Sequence, residues 1–168
     1  MLNKINKLSE TEFMQVFGNI FENASWITKK LYGQKPFNDF EDLSGKMLNI
    51  FEDANFENKL KILNSHPDLA NKTRIGSLTP DSNKEQNKAG LDSCTQKEFD
   101  YFNSLNIQYK SKFGFPFILA VKEMKKLEIL DIFKKRILSQ KNLEFNEAIK
   151  QVNQIAVLRL KELKNEFI

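Results

Sequence analysis

Few side chains in this 168-residue chain could carry chemistry, and their scarcity narrows the choice. It contains one histidine, His66, one cysteine, Cys94, and three arginines, Arg74, Arg136 and Arg159. His66 is the only side chain whose ordinary pKa lies near neutrality. It precedes Pro67, which disfavours helical geometry in the residue before it, so a short helix carrying Phe56, Leu60 and Leu63 should end near His66. The macrodipole at a helix C-terminus favours the protonated imidazole. The ring then either satisfies nearby carbonyls or faces a cleft as an acid–base group.

Glu85 offers a second pair of readings. In Ser82-Asn83-Lys84-Glu85 it has capping-box spacing and would bond back to the backbone. The same helix start also presents free N–H groups, a hydroxyl, a carboxylate and the Gln86 amide, a compact site for a polar, anionic ligand. Arg159 falls on the apolar stripe of the last helix, four residues after Ile155 and four before Leu163. A guanidinium on such a face needs a partner, because an unpaired buried charge is very costly. That partner is either an internal carboxylate such as Glu85 or a substrate carboxylate held by the bidentate fork. Arg136, beside Lys134 and Lys135, is expected to face solvent, and Cys94, in a polar turn, to be inert. Trp26 and the fifteen phenylalanines are expected in the core. In Phe113-Gly114-Phe115-Pro116-Phe117-Ile118 glycine and proline prevent a regular helix, so the backbone groups need other partners. A substrate can be one of them.

Much chemistry is excluded. The chain has no G-x-S-x-G elbow, no P-loop, no G-x-G-x-x-G and no metal-ligand cluster. One cysteine rules out an internal disulfide and a cysteine-based zinc site. An enzyme built from this inventory must rely on acid–base and electrostatic chemistry without an evident cofactor. The net charge of +4 comes from residues 110–168, where thirteen basic groups face seven acidic ones. Lysines there alternate with Glu and Asp along helix faces, which reads as solvated surface rather than a phosphate-tracking patch. Lysine outnumbers arginine 23 to 3, a compositional drift that draws attention to each arginine that remains. The longest apolar run, Phe113 to Val121, is too short to span a bilayer as a helix. The opening MLNKINKLSE does not resemble a signal peptide, and Asn165-Glu166-Phe167-Ile168 is not a peroxisomal address. The expectation is a soluble cytoplasmic protein.

The elements that must position these residues are helical nearly throughout. Ser9 and Glu12 have capping-box spacing before the stripe Phe13, Val16, Phe17, Ile20 and Phe21. A second start sits at Ser25-Trp26, and Leu43, Met47, Leu48 and Phe51 form another stripe. Residues 67–81 lack a clear period and read as an ordered loop. Ser82 and Glu85 restart a helix, and Thr95 and Glu98 begin a longer one through Phe99, Phe102, Leu105 and Tyr109. Helices over about 125–138 and about 144–163 complete the chain. Strand alternation, internal repeats and a linker are absent. The expected fold is all-α, a single domain over residues 1–168, a multi-helix bundle of about seven to nine helices.

Four separated blocks carry a resemblance. They are His66-Pro67-Asp68-Leu69-Ala70; Leu78-Thr79-x-x-Ser82-x-x-Glu85-Gln86-x-x-Ala89-Gly90-Leu91; Leu105-Asn106-x-x-Tyr109-x-x-Lys112-Phe113-Gly114-Phe115-Pro116-Phe117; and Ile155-Ala156-x-Leu158-Arg159-Leu160. In order and spacing they resemble the OHCU decarboxylases, which act on 2-oxo-4-hydroxy-4-carboxy-5-ureidoimidazoline. Phe21-Glu22-Asn23-Ala24-Ser25-Trp26 is also similar to that family's opening segment.

The resemblance implies an all-α, cofactor-free homodimer performing the last step from urate to (S)-allantoin on a small-molecule substrate. It places the catalytic residues on His66, Glu85 and Arg159. It places substrate contacts on Pro67, on Ser82, Asn83, Lys84, Glu85 and Gln86, and on Phe117, Ile118, Leu119, Ala120, Val121 and Lys122. No metal is implied, and the missing peroxisomal ending is similar to the bacterial cytoplasmic members. A reading from another class is a non-catalytic helical interaction or RNA-binding protein on the same fold, suggested by the basic last third. Electrophoretic shift at ~50 and ~200 mM salt separates the two, because phosphate binding weakens steeply with salt.

Overall fold

A computed structural model describes residues 2–70 and 79–166. Among these residues the fold is all-α, with nine helices: α1 (Leu2–Lys7), α2 (Glu10–Phe17), α3 (Ser25–Tyr32), α4 (Phe40–Glu52), α5 (Phe56–Ser65), α6 (Pro80–Lys88), α7 (Gln96–Phe113), α8 (Lys126–Arg136) and α9 (Lys141–Glu166). They form two compact units, one of Met1–Ile62 with Asn153–Ile168 and one of Leu63–Val152.

In the first unit α2 begins at a complete capping box. Ser9 Oγ accepts from the Glu12 N–H, and the Glu12 carboxylate accepts from the Ser9 N–H at 2.8 Å. These bonds satisfy two of the donors that a helix start leaves without intrahelical partners. Asp39 caps α4 by accepting from Asp42 N–H. Helix α2 packs on α3, and α3 on α4. The core of this unit is aromatic: Phe13 lies against Phe17 and Phe37, and Phe21 against Phe51. Phe56 departs from the expected stripe and is exposed, while Ile62 and Leu63 carry the buried side of α5.

In the second unit Thr95 and Glu98 form another complete capping box at the start of α7. This helix buries Phe102, Leu105, Asn106 and Tyr109. It ends at Gly114, whose φ of 83° lies in the left-handed region that glycine enters without a Cβ clash. The chain then runs without helix, turn or bend from Pro116 to Val121, and almost all of that stretch is buried. The Phe117 ring stacks on Phe133 of α8 at 3.8 Å, and Tyr109 meets both rings edge-on.

Candidate active site

His66 follows the end of α5, as its proline neighbour requires, and is 9% exposed. Three side chains of the second unit fix the segment that it opens. Gln86 accepts from the Ala70 N–H at 3.1 Å and donates to the Asp68 carbonyl at 3.4 Å. Asn106 donates to the Leu69 carbonyl at 3.0 Å, and Lys110 pairs with the Asp68 carboxylate at 2.7 Å. Ala70 sits at φ 56°, a left-handed conformation that costs about 1–2 kcal/mol in an L-residue. The Gln86 contact helps hold it there. Residues 71–78, which belong to the loop expected over 67–81 and include Arg74, lie outside the described residues.

Helix α6 corrects the capping expectation. Its N-cap is Thr79, whose hydroxyl accepts from the Ser82 N–H at 3.3 Å, and Pro80 occupies the first helical position. Ser82 is therefore inside the helix, and Glu85 lies in its second turn rather than at the third position of a capping box. The structural role weighed for Glu85 is not the one it has. Ser82 and Gln86 are buried, Asn83 and Glu85 half-buried and Lys84 exposed. Pro67 is half-buried.

The Phe117–Lys122 segment lies in the same unit and is held by side chains. Arg136 Nη1 donates to the Ile118 carbonyl at 2.7 Å, and the Ala120 N–H donates to Gln151 Oε1 at 3.0 Å. Arg136 thus does not face solvent among the lysines; its side chain is 10% exposed. Nε and Nη2 both donate to Glu144 Oε1, at 2.9 and 2.6 Å, and the guanidinium lies 4.5 Å over the Phe117 ring. Tyr109 donates to the same Glu144 oxygen. Burial and that carboxylate push the Tyr109 hydroxyl far above its ordinary pKa, so it remains a donor at any working pH.

Arg159 lies in the first unit. Its partner is Glu22, missed at the level of sequence although it stands in a quoted segment: Nη1 and Glu22 Oε2 are 3.0 Å apart. The same nitrogen donates to the carbonyls of Asn19 at 3.0 Å and Ile20 at 3.4 Å. Glu85, offered above as an internal partner, belongs to the other unit. Several lysines of the basic last third are also paired, Lys110 with Asp68, Lys126 with Glu98 and Lys164 with Glu41. Among the described residues no helix is long and apolar enough to cross a membrane.

Comparison with known proteins identifies the family. The model of the OHCU decarboxylase family matches residues 6–161. A uric acid degradation bifunctional protein from Bacillus sp. (strain TB-90) is 36% identical over 165 residues, 98% of this chain, which spans only 32% of that protein's length. A 2-oxo-4-hydroxy-4-carboxy-5-ureidoimidazoline decarboxylase from Halalkalicoccus jeotgali is 36% identical over 159 residues, 95% of this chain and 89% of the relative. The Xenopus laevis protein of the same name is 36% identical over 96% of this chain and 93% of its own. Among solved structures, that of an (S)-allantoin synthase superposes with a TM-score of 0.77 at 27% identity, over 97% of this chain and 54% of that one. An OHCU decarboxylase crystallised with (S)-allantoin superposes with a TM-score of 0.71 at 22% identity, over 93% and 98%, which bears on the fold alone. With a family match across nearly its whole length and full-length relatives at this identity, the chain belongs to the OHCU decarboxylase family.

Proposed function

We propose that this chain decarboxylates 2-oxo-4-hydroxy-4-carboxy-5-ureidoimidazoline to (S)-allantoin without a cofactor, the last step of urate degradation. Beyond family membership, the observation that carries this reading is the setting of the only histidine. It is nine-tenths buried and opens a segment fixed by Gln86, Asn106 and Lys110. Such fixing suits a group that must meet a reacting atom in one orientation.

The substrate supplies its own electron sink. Its carboxylate is on C4, next to a C5=N imine. When the C4–CO2 bond breaks, the electron pair forms C4=C5 and the imine nitrogen accepts the displaced pair with a proton. The C4 hydroxyl then gives up its proton as the C4 carbonyl forms, and C5 takes a proton on one face. The protein must orient the carboxylate, assist the hydroxyl proton and deliver one proton stereospecifically. We assign proton transfer to His66 with Glu85, and recognition of the carboxylate to Arg159, whose Nη1 is held by Glu22 and two carbonyls. Contacts to the ring and ureido groups are assigned to Pro67, to residues 82–86 and to the 117–122 segment.

Residues 1–168 are read as one family domain, supported by a family match that runs through both units. The active form is read as a cytoplasmic homodimer. Sedimentation should give twice the chain mass of 19.6 kDa; a monomer at micromolar concentration overturns the dimer. For the activity itself, freshly oxidised urate products should lose CO2 faster than in buffer and yield optically active allantoin. A rate and chirality equal to buffer alone dispose of the reading.

A further inference from the structure

The Arg136–Glu144 pair touches none of the residues assigned to proton transfer, yet it reaches the 117–122 segment directly. One guanidinium nitrogen donates to the Ile118 carbonyl at 2.7 Å, and the other two are held on Glu144 Oε1 at 2.9 and 2.6 Å. Glu144 is 1% exposed, so the carboxylate depends on these donors and on Tyr109 for its compensation. The segment runs without a bend between Pro116 and Val121. Two of its peptide groups, the Ile118 carbonyl and the Ala120 N–H, have side-chain partners, Arg136 and Gln151.

We propose that Arg136 is a positioning residue: held by Glu144, it anchors the Ile118 carbonyl and so sets how the Ile118–Val121 segment meets the ureido-imidazoline substrate. The inference rests on the decarboxylase reading, in which the 117–122 segment contacts the ring and ureido groups. Two neighbouring observations fit this role. The Phe117 side chain is clamped between Phe133 and the guanidinium. Gly114 and Pro116 keep the stretch out of helical geometry, which would consume the same peptide groups internally.

The test uses the full-length chain and three variants. Arg136→Lys keeps the charge but loses the planar fork that reaches Glu144 and Ile118 together. Arg136→Met removes both contacts. Tyr109→Phe removes a donor to Glu144 while leaving Arg136 on Ile118, and so reports what loss of stability alone does. Removing a charge-assisted hydrogen bond that orders the segment should raise KM and the allantoin Kd about tenfold in both Arg136 variants. The kcat should stay within about threefold and its pH profile unmoved, because His66 is untouched. Amide exchange should accelerate over residues 118–121 in the Arg136 variants and not in Tyr109→Phe, which should lower Tm with KM unchanged. An unchanged KM and Kd in folded Arg136 variants overturns the proposal, as does a Tyr109→Phe variant with the same rise in KM. A wild-type chain that neither turns over nor binds allantoin overturns the decarboxylase reading itself, and shows it before any variant is compared.

Discussion

Arg159 and Glu22 form an ion pair at 3.0 Å, with side chains 7% and 2% exposed. Desolvation of two charges is costly, and a buried pair offers little net stability over well-packed apolar residues of similar size. The same Arg159 nitrogen also donates to the main-chain carbonyls of Asn19 and Ile20.

Glu22→Ala should destabilise the chain by about 3–5 kcal/mol in urea titrations, because it leaves the arginine buried without its carboxylate. The double replacement Glu22→Leu with Arg159→Met should recover most of that stability and still lack turnover. Recovery of stability together with near-wild-type activity removes Arg159 from the reaction. Arg159→Lys should lose allantoin affinity as well as rate although the charge is kept, since lysine cannot reproduce the fork.

His66→Asn should reduce turnover by about 10²–10⁴, the usual cost of a lost acid–base group, and still bind allantoin in calorimetry. Near-wild-type turnover in this variant ends the proposed mechanism.

With the cap of α6 at Thr79, the capping and the proposed catalytic role can be tested at separate residues. Thr79→Ala should cost about 1 kcal/mol in chemical denaturation, because it removes the α6 cap. Glu85→Gln, in the second turn of the helix, should leave Tm close to wild type while activity falls. A Glu85→Gln enzyme of full activity moves proton transfer to His66 alone.

The history of that cap shows what the sequence made legible. Ser9–Glu12, Ser82–Glu85 and Thr95–Glu98 share one spacing, and the first and last are capping boxes. The middle one is displaced because Pro80 is favoured at the first helical position, where its missing N–H costs nothing, and this sets the cap at Thr79. Proline at the first helical position is thus a stronger start signal here than the Ser82–Glu85 spacing. Other features were not readable locally. Glu22 and Arg159 are 137 residues apart, and the Arg136 contact to Glu144 joins two helices that periodicity treats one at a time. Neighbouring lysines made Arg136 look solvated. The surplus of lysine over arginine was the better guide, since both described arginines occupy buried positions where one planar cation meets several acceptors. The periodicity found the long helices but not the exposure of Phe56, which only packing decides.

Acid should act on the second unit through Glu98. Its carboxyl is held below the ordinary glutamate range by a hydrogen bond from Lys126 and by the Thr95 N–H. A carboxyl with a depressed folded pKa contributes stability above its unfolded pKa, and that contribution is lost as pH falls through the folded value. Glu98→Gln should therefore lower Tm modestly near neutrality, with the difference from wild type closing as the solution is made acidic and Glu98 itself protonates. A difference independent of pH assigns the effect to the helix cap alone.

The single oxygen of Glu144 that accepts from both Tyr109 and Arg136 has a consequence for inheritance. A change at any one of the three leaves the other two mismatched inside the unit, so their effects on stability should be non-additive by about 0.5–3 kcal/mol in double-mutant cycles. Along a lineage, such positions should stay fixed for long periods and then change together. Engineering that replaces one of them in isolation should lose more stability than replacement of all three by packed apolar residues.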